Sequence, residues 1–341
     1  MVSSEKEMNK KNLTDSYNCI RRINYNITVS QVVLFAYKIG FFDFINERSV
    51  KMQEIYDKYS NIRRSSINSI ISCSINHKLL ENYNNSIKLS IYAKNTLMKN
   101  SPYKMGVILD FWNEHDINIE TIARKFNKAL YKNENIVEFE DFRVEDRKFF
   151  IEKMNQKSFI PAMFIEDYID LSLSHSLLDI GGGSGIFSIN IKKVYSNIEC
   201  SVYEQPCIAK ITKEYLKKAG YEKQIKVIEG NMFENKLPKA DIHFYSEVFH
   251  DWTPKQCITL AKNSFDALPS GGKIVLFEML FDSTRSSPFN VVGQDVTMQL
   301  FTEGQQFTKD EINNLLKSVG YVELSIVQTH TDYCFITAVK P

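Results

Sequence analysis

The sequence predicts a mixed α/β protein with a Rossmann-like, doubly wound sheet of seven strands, one of them antiparallel, preceded by a mostly helical domain. Two observations lead to this prediction. Apolar residues recur at helical spacing from about residue 10 to residue 100, as in ITVSQVVLFAYKIGFFDFI. From Ser176 onward, short apolar strands alternate with helical segments, a pattern typical of doubly wound sheets.

The N-terminal helical segments are followed by a predicted β-hairpin. The stretch LLENYNNSIKLSIYAKNTL alternates in short pieces around Asn84 and Asn85, two residues that favour a turn. Helices followed by a hairpin are typical of a winged helix, so we expect a winged-helix-like domain over residues 1–101. Residues 102–172 contain few glycines and many aromatic residues, which favours connecting helices over a flexible linker.

The C-terminal half supplies the sheet, which we assign to a domain of residues 173–341. Its predicted strands are SLLDIG, IECSVYE, IKVIEG, ADIHFYSEV, KIVLFEML, VELSIVQ and YCFITAV. Only THTD separates the last two strands. Because a right-handed crossover needs a longer connection, we expect these two strands to pair antiparallel.

Composition and charge restrict the kinds of partner. The chain has 42 Lys and Arg and 41 Asp and Glu, a net charge of +1, so no overall field attracts nucleic acid or an anionic membrane. It lacks an apolar run of about 18 residues and begins with the charged MVSSEKEMNKKN, so we expect a cytoplasmic protein. The six cysteines include no C-x-x-C pair, and His243 lies inside a buried strand, so we expect free thiols and no metal site.

A glycine-rich loop joins a predicted strand to a predicted helix, where LLDI runs through GGGSG into IFSINIKKV. Asp179 precedes the loop, and Gly181 and Gly183 lie in it. Glycine lets a ligand approach bare backbone, and the free amides of a helix N-terminus suit a carboxylate or phosphate. Ile186 occupies the position of the third glycine of the dinucleotide fingerprint, which argues against nicotinamide binding. A purely structural turn is the alternative.

Two neighbouring strands end in residues suited to an adenosine. Glu204 ends the next strand, about 20 residues beyond the loop, where a carboxylate can accept from both hydroxyls of a ribose. Asn231, Met232 and Phe233 follow the third strand, at the place where an adenine would lie. The residues alone leave open a solvated Glu204, and a plain turn with Met232 and Phe233 in the core.

Together these motifs resemble the class I S-adenosylmethionine-dependent methyltransferases, specifically the small-molecule O-methyltransferases that include plant caffeate and bacterial polyketide enzymes. The resemblance covers nearly the whole chain. It rests on AYKIGFFDFI, LLDIGGGSG, VYEQP, EGNMF, FHDWTPKQC, SGGKIVLFEML and GQQFTKDEINNLLKSVGY. It implies S-adenosylmethionine as cofactor, a homodimer formed through the N-terminal domain, and an acceptor pocket lined by residues 102–172.

The resemblance also implies a set of cofactor contacts. In the order methionine end, ribose and adenine, these are Asp179, Gly181, Gly183, Glu204, Asn231, Met232 and Phe233. The family usually has an aspartate in place of Asn231, but an amide oxygen can still accept from the adenine amino group. Ser246 stands where plant members carry a lysine near the cofactor.

Methyl transfer to a hydroxyl needs a base, and histidine is the commonest base near neutral pH. His250 follows a predicted strand, and Thr253 with Pro254 is typical of a helix start, so His250 belongs to the carboxyl edge of the sheet. A histidine that only caps the loop is the alternative. The resemblance implies that His250 is the base, accompanied by Asp251 and oriented by Glu278.

The sequence departs from the family near its C-terminus. The family pattern G-x-E-R-T is GQQFT here, so Gln306 and Phe307 replace the acid and the arginine. Gln306 can orient a histidine by hydrogen bonding but cannot stabilise an imidazolium by charge. We therefore expect either an acidic acceptor or a reaction other than ordinary phenol methylation.

A predicted helix near the C-terminus carries candidate acceptor contacts. Asp295, Met298 and Phe301 recur at spacings of three and share one helix face. The resemblance implies that this face lines the acceptor pocket, with Phe159 and Met163 opposite. Plain core packing of the apolar members is the alternative.

We therefore predict an enzyme that transfers a methyl group from S-adenosylmethionine to a phenolic or enolic oxygen of a small molecule, such as a secondary metabolite. Methylation of nitrogen or carbon stays open, as does a non-methylating reaction in a family member that binds the cofactor. A winged-helix transcription regulator would need a basic recognition helix, but the candidate helix has only Arg63 and Arg64 near its start. We expect no nucleic-acid partner.

Overall fold

The computed structural model describes residues 2–83, 86–114 and 143–341. The chain divides into two compact units, Met1–Asp116 and Ile117–Pro341. The expected turn at Asn84 and Asn85 lies outside the described residues, as do residues 115–142 of the expected connecting helices. Every helix among the described residues is too short or too polar to span a bilayer. The domain boundaries expected from the sequence stay predictions.

The first unit is mostly helical and contains a small antiparallel sheet. Its helices are α1 (Val2–Lys38), α2 (Phe41–Ile45), α3 (Met52–Lys58), α4 (Arg64–Asn76), α5 (Ile91–Leu97) and α6 (Gly106–Glu114). Its strands are β1 (Val50–Lys51), β2 (Leu80–Tyr83) and β3 (Ser86–Leu89), in the order β1-β3-β2. Phe41, Ile55, Ile67 and Ile87 are fully buried in one shared core. The helical N-terminal region predicted from the sequence is confirmed.

The second unit alternates strands and helices. Its strands are β4 (Ser176–Ile180), β5 (Glu199–Glu204), β6 (Ile225–Glu229), β7 (Ile242–Ser246), β8 (Lys273–Phe281), β9 (Phe307–Thr308), β10 (Val322–Gln328) and β11 (Tyr333–Val339). Its α-helices are α7 (Val144–Met163), α8 (Ile186–Val194), α9 (Pro206–Ala219), α10 (Pro254–Ala267), α11 (Phe289–Phe301) and α12 (Lys309–Val319). Short 3-10 turns lie at Ile165–Asp167 and Phe249–Asp251.

Seven of these strands form one continuous sheet in the order β10-β11-β8-β7-β4-β5-β6. The neighbours from β8 to β6 pair in parallel, whereas β11 runs antiparallel to both β8 and β10. This confirms the doubly wound sheet with one antiparallel strand. The two-residue strand β9 pairs with the end of β8, Phe307 beside Leu280, and adds an eighth strand that the sequence pattern did not predict.

Helices cover both faces of this sheet. Successive side chains of a strand point to opposite faces, so neighbouring strand residues enter different cores. Leu178 and Tyr245 belong to the core shared with α10 and α12. Leu177 and Phe244 belong to the core shared with α8 and α11. The sheet is therefore the middle layer of three.

The sheet order identifies the edge where a ligand would bind. The chain winds from β4 through β5 to β6 on one side and returns through β7 to β8 on the other. In such sheets, ligands bind at the carboxyl ends of the strands beside the switch point. The loops that follow β4 and β7 lie there. The second loop ends where Thr253 caps α10, accepting from Gln256 N–H at 3.3 Å, as its sequence predicted.

Candidate active site

The loop after β4 presents bare backbone to its neighbours. Gly181 and Gly183 have φ values of 70° and 55°, in the left-handed region where other residues are strained. A Cβ added at Gly181 would lie 2.9 Å from Cγ2 of Val248, in the segment after β7. On the other side, the Gly181 N–H donates to the carbonyl oxygen of Tyr203 at 2.9 Å. The glycines therefore let the loop approach both the β5 strand and the segment after β7.

Glu204 ends β5 and holds the glycine loop through its side chain. Its Oε1 accepts from Gly183 N–H at 2.8 Å, and its Oε2 accepts from Gln205 N–H at 3.1 Å. Burial raises the pKa of the Glu204 carboxyl to about 7, although these two N–H donors favour the ionised form. Each oxygen retains a lone pair, so the carboxylate fits the two hydroxyls of a ribose.

Asp179 lies in β4 at the base of the loop and is fully buried. Its Oδ2 accepts from the Ser188 hydroxyl at 2.8 Å, while Oδ1 has no hydrogen-bond partner within the described part of the chain. Burial raises the pKa of this carboxyl to about 6. A buried acceptor without a donor is unfavourable, so this oxygen fits a donor supplied by a ligand, such as an ammonium group.

The turn after β6 is fixed by its own side chains. Asn231 Oδ1 accepts from Phe233 N–H at 2.9 Å, and Asn231 N–H donates to Asn235 Oδ1 at 2.8 Å. The Asn231 oxygen expected to meet an adenine amino group accepts one hydrogen bond within the turn and retains a second lone pair, and no hydrogen bond of the amide nitrogen is found among the described residues. Met232, the next residue in the chain, is partly buried. The Phe233 ring packs edge-on against the Trp252 ring, with 4.7 Å between the ring centroids.

His250 lies in the 3-10 turn after β7 and is 4% exposed. Its Nδ1 is 2.7 Å from Glu278 Oε2, and the other oxygen of this carboxylate accepts from Phe249 N–H at 2.9 Å. Because the carboxylate accepts, we assign a proton to Nδ1, which leaves the lone pair of Nε2 for a substrate proton. Nε2 is 3.6 Å from Asp251 Oδ1, too far for a hydrogen bond.

The charges around His250 favour its protonated form. Burial alone would lower the pKa of the imidazole, but the carboxylates of Glu278 and Asp251 outweigh burial and raise this pKa to about 9. A base of this strength holds a proton firmly and is largely protonated at pH 7. The site is therefore suited to carry a positive charge on the histidine.

The segment around Gln306 packs against the histidine turn. A Cβ added at Gly304 would overlap the carbonyl oxygen of His250. The Gln306 N–H donates to Asp295 Oδ1 at 2.7 Å, and its carbonyl oxygen accepts from Arg285 Nη2 at 2.9 Å. The Gln306 side chain is fully buried, and its amide has no hydrogen-bond partner among the described residues. The hydrogen bond to His250 that its sequence position suggested is not made in this structure.

The residues expected to line an acceptor pocket lie on two helices of the second unit. Asp295, Met298 and Phe301 belong to α11, and Phe159 and Met163 belong to α7. Met298 is buried, and the other three apolar side chains are partly buried. The Asp295 carboxylate holds the backbone of the segment that precedes β9. The contacts of these side chains with an acceptor stay predictions.

His243 has a partner on each ring nitrogen. Its Nδ1 is 3.0 Å from the Ser264 hydroxyl, and its Nε2 is 3.0 Å from the carbonyl oxygen of Pro238. Burial lowers the pKa of this imidazole to about 4, so the ring is neutral. In the described ranges, no group of three or more His, Cys, Asp or Glu residues is arranged to hold a metal ion.

The sequence analysis missed Glu247, the buried glutamate that follows Ser246 at the end of β7. Its side chain is 3% exposed, forms an ion pair with Lys157 Nζ and accepts from the Tyr333 hydroxyl at 2.8 Å. Ser246, an expected cofactor contact, is partly buried beside it. The partners of Glu247 are 90 and 86 residues away in the chain, so no local pattern distinguishes it from a solvated glutamate.

Comparison with known proteins gives consistent matches. A sequence model of the O-methyltransferase domain matches residues 116–322. Acetylserotonin O-methyltransferase of Gallus gallus is 31% identical over 160 residues, which are 47% of this chain and 46% of the relative. (RS)-norcoclaurine 6-O-methyltransferase of Thalictrum flavum subsp. glaucum is 29% identical over 210 residues, which are 60% of this chain and 57% of the relative. The chain spans about half the length of these curated relatives.

The fold also matches solved structures over nearly its whole length. The crystal structure of human N-acetylserotonin methyltransferase in complex with SAM has a TM-score of 0.80 to this chain at 22% sequence identity. The match covers 95% of this chain and 97% of the human one. At this identity the likeness establishes the fold alone.

Proposed function

The chain belongs to the O-methyltransferase domain family, and from this premise we propose that it transfers a methyl group from S-adenosylmethionine to a hydroxyl oxygen of a small molecule. The observation that carries the proposal is the close approach of Gly181 to Val248, two residues before His250. It brings the glycine loop next to the histidine turn. A cofactor held by the loop would lie beside a base, as the alignment of a methyl group and its acceptor requires.

The residues around the glycine loop fit this cofactor. Oδ1 of Asp179, which has no partner in the part of the chain that the structure describes, is suited to accept from an α-ammonium group, and the Glu204 carboxylate is suited to the ribose hydroxyls. Nδ2 of Asn231 is suited to donate to a ring nitrogen of adenine. When bound, the cofactor supplies a methyl group on a positively charged sulfur.

His250 acts as the general base in this proposal. In the neutral form of the ring, which becomes the major form only above about pH 9, Nε2 takes the proton of the acceptor hydroxyl as the acceptor oxygen receives the methyl group. Glu278 keeps the ring oriented through Nδ1–H and stabilises the imidazolium by its charge. Asp251 adds a second negative charge beside the ring.

The electrostatics of the site favour an acidic acceptor. Because the pKa of His250 is raised to about 9, the ring is largely protonated at pH 7 and pairs better with a phenolate or enolate oxygen than with a neutral alcohol. Gln306 adds no charge that would change this preference. We therefore infer a phenolic or enolic acceptor, as many secondary metabolites are. Met298 and Phe301 of α11, with Phe159 and Met163 of α7, are the apolar side chains suited to contact it.

The test is a product analysis with a labelled methyl donor. The protein is incubated with a panel of phenols and enols and with S-adenosylmethionine that carries an isotope-labelled methyl group, and products are identified by mass spectrometry. We expect label on an oxygen with the wild type and with His175→Ala, a control at an exposed histidine. We expect His250→Ala to be at least about a hundredfold slower. Label on nitrogen or carbon would overturn the hydroxyl acceptor, and an unlabelled product from cofactor-bound protein would overturn methyl transfer.

The first unit supports a homodimer. Tyr17, Ile20, Ile23 and Ile27 of α1 are 60%, 67%, 59% and 44% exposed, and their spacing sets them along one side of the helix. An exposed apolar stripe of this kind is suited to self-association. We expect light scattering coupled to gel filtration to give twice the chain mass, and Ile20→Glu with Ile23→Glu to give the monomer mass. A monomeric wild type would overturn the dimer.

A cytoplasmic location is part of the proposal. All six cysteines are free, and three of them are buried as thiols in the second unit. This use of cysteine is typical of a reducing compartment. Imaging of a fluorescent fusion tests it, and a fusion found outside the cytoplasm would overturn it.

A further inference from the structure

Glu247 occupies an unusual backbone position at the carboxyl end of β7. Its φ of 55° is in the left-handed region, where non-glycine residues are strained. Its N–H donates to the carbonyl oxygen of Phe277 at 2.9 Å. Phe277 precedes Glu278, whose carboxylate binds Nδ1 of His250. The backbone of Glu247 is therefore hydrogen-bonded to the residue next to Glu278.

The Glu247 carboxylate is held by donors from two other elements. Lys157 Nζ and the Tyr333 hydroxyl both donate to Oε2, and the Ser158 hydroxyl donates to Oε1 at 3.3 Å. Burial would raise the pKa of this carboxyl, but the charges of Lys157 and His250 outweigh burial and lower it. Glu247 is therefore a fixed anion at neutral pH.

Several charged or titratable groups surround His250. Asp251 on its own turn, Glu247 after β7 and Glu278 on β8 act on the ring directly. These carboxylates in turn face Cys257 on α10, Tyr333 on β11, and Lys153 with Lys157 on α7. The charges of Glu278, Asp251 and Glu247 all raise the pKa of the imidazole. Lys157, which faces both Glu247 and Asp251, has the opposite sign. Three anions therefore act on His250, and Lys157 is the cation that acts on two of them.

We propose that Glu247 is a positioning residue for the His250 base: its buried carboxylate keeps a negative charge beside the ring, and Lys157 sets how strongly that charge acts. This inference rests on the proposed role of His250 in methyl transfer. Gln306 is a neutral amide and brings no charge to the site, whereas Glu247 brings one from the end of β7. The proton affinity of the base thus depends on an ion pair that also ties α7 to the sheet.

The alternative is a purely structural ion pair between α7 and the end of β7. The two roles differ in what changes when contacts or charges are removed. Ser158→Ala and Tyr333→Phe each remove a hydrogen bond from Glu247 but leave its charge, and Glu247→Asp keeps the charge on a shorter side chain. Glu247→Gln keeps the size and removes the charge. Only a positioning role makes His250 respond to charge rather than to contacts.

The test is the NMR titration of His250 in the protein without cofactor or acceptor. Its signal is assigned as the one lost in His250→Gln. We expect Glu247→Gln to lower the pKa of His250 by about one pH unit and Lys157→Met to raise it by a similar amount, since a unit charge is removed in each case. Ser158→Ala, Tyr333→Phe and Glu247→Asp should each change it by less than half of that. An unchanged His250 titration in folded Glu247→Gln overturns the proposal.

A buried cation without its partner destabilises a protein, so Glu247→Gln alone can fail to fold. The double variant Glu247→Gln with Lys157→Met removes both charges together, and circular dichroism checks its fold. We expect its His250 pKa to lie about one pH unit below that of Lys157→Met, and therefore near the wild-type value, because the two opposite changes cancel. A double variant with the same His250 pKa as Lys157→Met overturns the proposal.

The role proposed for Glu247 and the proposed methyl transfer can be refuted independently of each other. The titration needs no methyl transfer, so a wild type that methylates nothing but shows the expected charge response refutes the function and not the electrostatic role. A wild type that methylates a phenol but shows no response to Glu247→Gln refutes the positioning role alone. In an active enzyme, Glu247→Gln should also move the rise of kcat/KM to lower pH.

Discussion

Replacement of Glu278 by Gln removes a charge from His250 without changing the size of the side chain. Two donors, Nδ1–H of His250 and N–H of Phe249, point at the two carboxylate oxygens. An amide offers one oxygen and one NH2 group, so one donor would face another donor. We expect the substitution to lower the pKa of His250 and to leave the ring poorly oriented.

The expected magnitude follows from the pKa of His250. The pKa is raised from 6.5 to about 9. This difference of about 2.5 pH units corresponds to about 3 kcal/mol at 1.36 kcal/mol per unit. Burial acts against this rise, and the charge of Glu278 is the largest contribution to it. Loss of most of this stabilisation of the imidazolium should slow the methyl transfer about a hundredfold.

The assay is kcat/KM for labelled methyl transfer between about pH 5 and pH 10. The wild-type value should rise with pH up to about 9, because the base must be neutral to take a proton. Glu278→Gln should level off near or below pH 6.5, at a plateau about a hundredfold lower. Glu222→Gln, at an exposed glutamate, should behave as the wild type. A Glu278→Gln enzyme with the wild-type plateau and pH profile would refute the reasoning.

Three further predictions concern the cofactor loop and the stability of the site. Glu204→Gln should weaken cofactor binding about tenfold in calorimetry. The cofactor affinity of the wild type should fall as the pH drops through about 7, because protonation of Glu204 removes an acceptor, and a pH-independent affinity would contradict this. Gly181→Ala should lower the free energy of unfolding in urea by about 1–3 kcal/mol, because alanine is strained at this φ and its Cβ meets Val248; an unchanged midpoint would argue against it. The raised pKa of His250 adds stability that is fully present below about pH 6.5 and disappears as the pH rises through about 9. His250→Gln should therefore have a lower free energy of unfolding than the wild type at low pH, and this difference should shrink as the pH rises. A difference that does not change with pH would count against the raised pKa.

The fold could be predicted from the sequence where the pattern is local. The alternation of strands and helices after Ser176 predicted the sheet, and the short connection THTD predicted the antiparallel β11. The strand β9 was missed because two residues carry no periodicity, and its pairing with β8 depends on a contact 27 residues away in the chain, between Leu280 and Phe307. Such a pairing is decided by tertiary packing and not by propensity.

In the candidate site, too, some residues could be located from the sequence and others could not. Glu204 and His250 stand at the ends of predicted strands, so their location at one sheet edge followed from topology. Glu278 could be paired with His250 only through the family resemblance, and the 2.7 Å contact is a finding of the structure. Glu247 was missed because burial and its ion pair with Lys157 arise only on folding. For Gln306, the substitution is visible in the sequence, whereas the lack of a partner for its amide among the described residues is seen only after folding.

The Asp179 oxygen that has no partner among the described residues also affects how long the protein survives in a cell. A ligand that satisfies it binds only the folded chain, and at a hundred times its Kd such a ligand adds about 2.7 kcal/mol to stability. That amount lowers the unfolded population about a hundredfold, and with it the exposure to proteases. If the proposed cofactor is that ligand, the abundance of this protein should follow the supply of methyl donor, so that starvation for methionine depletes the protein as well as the donor.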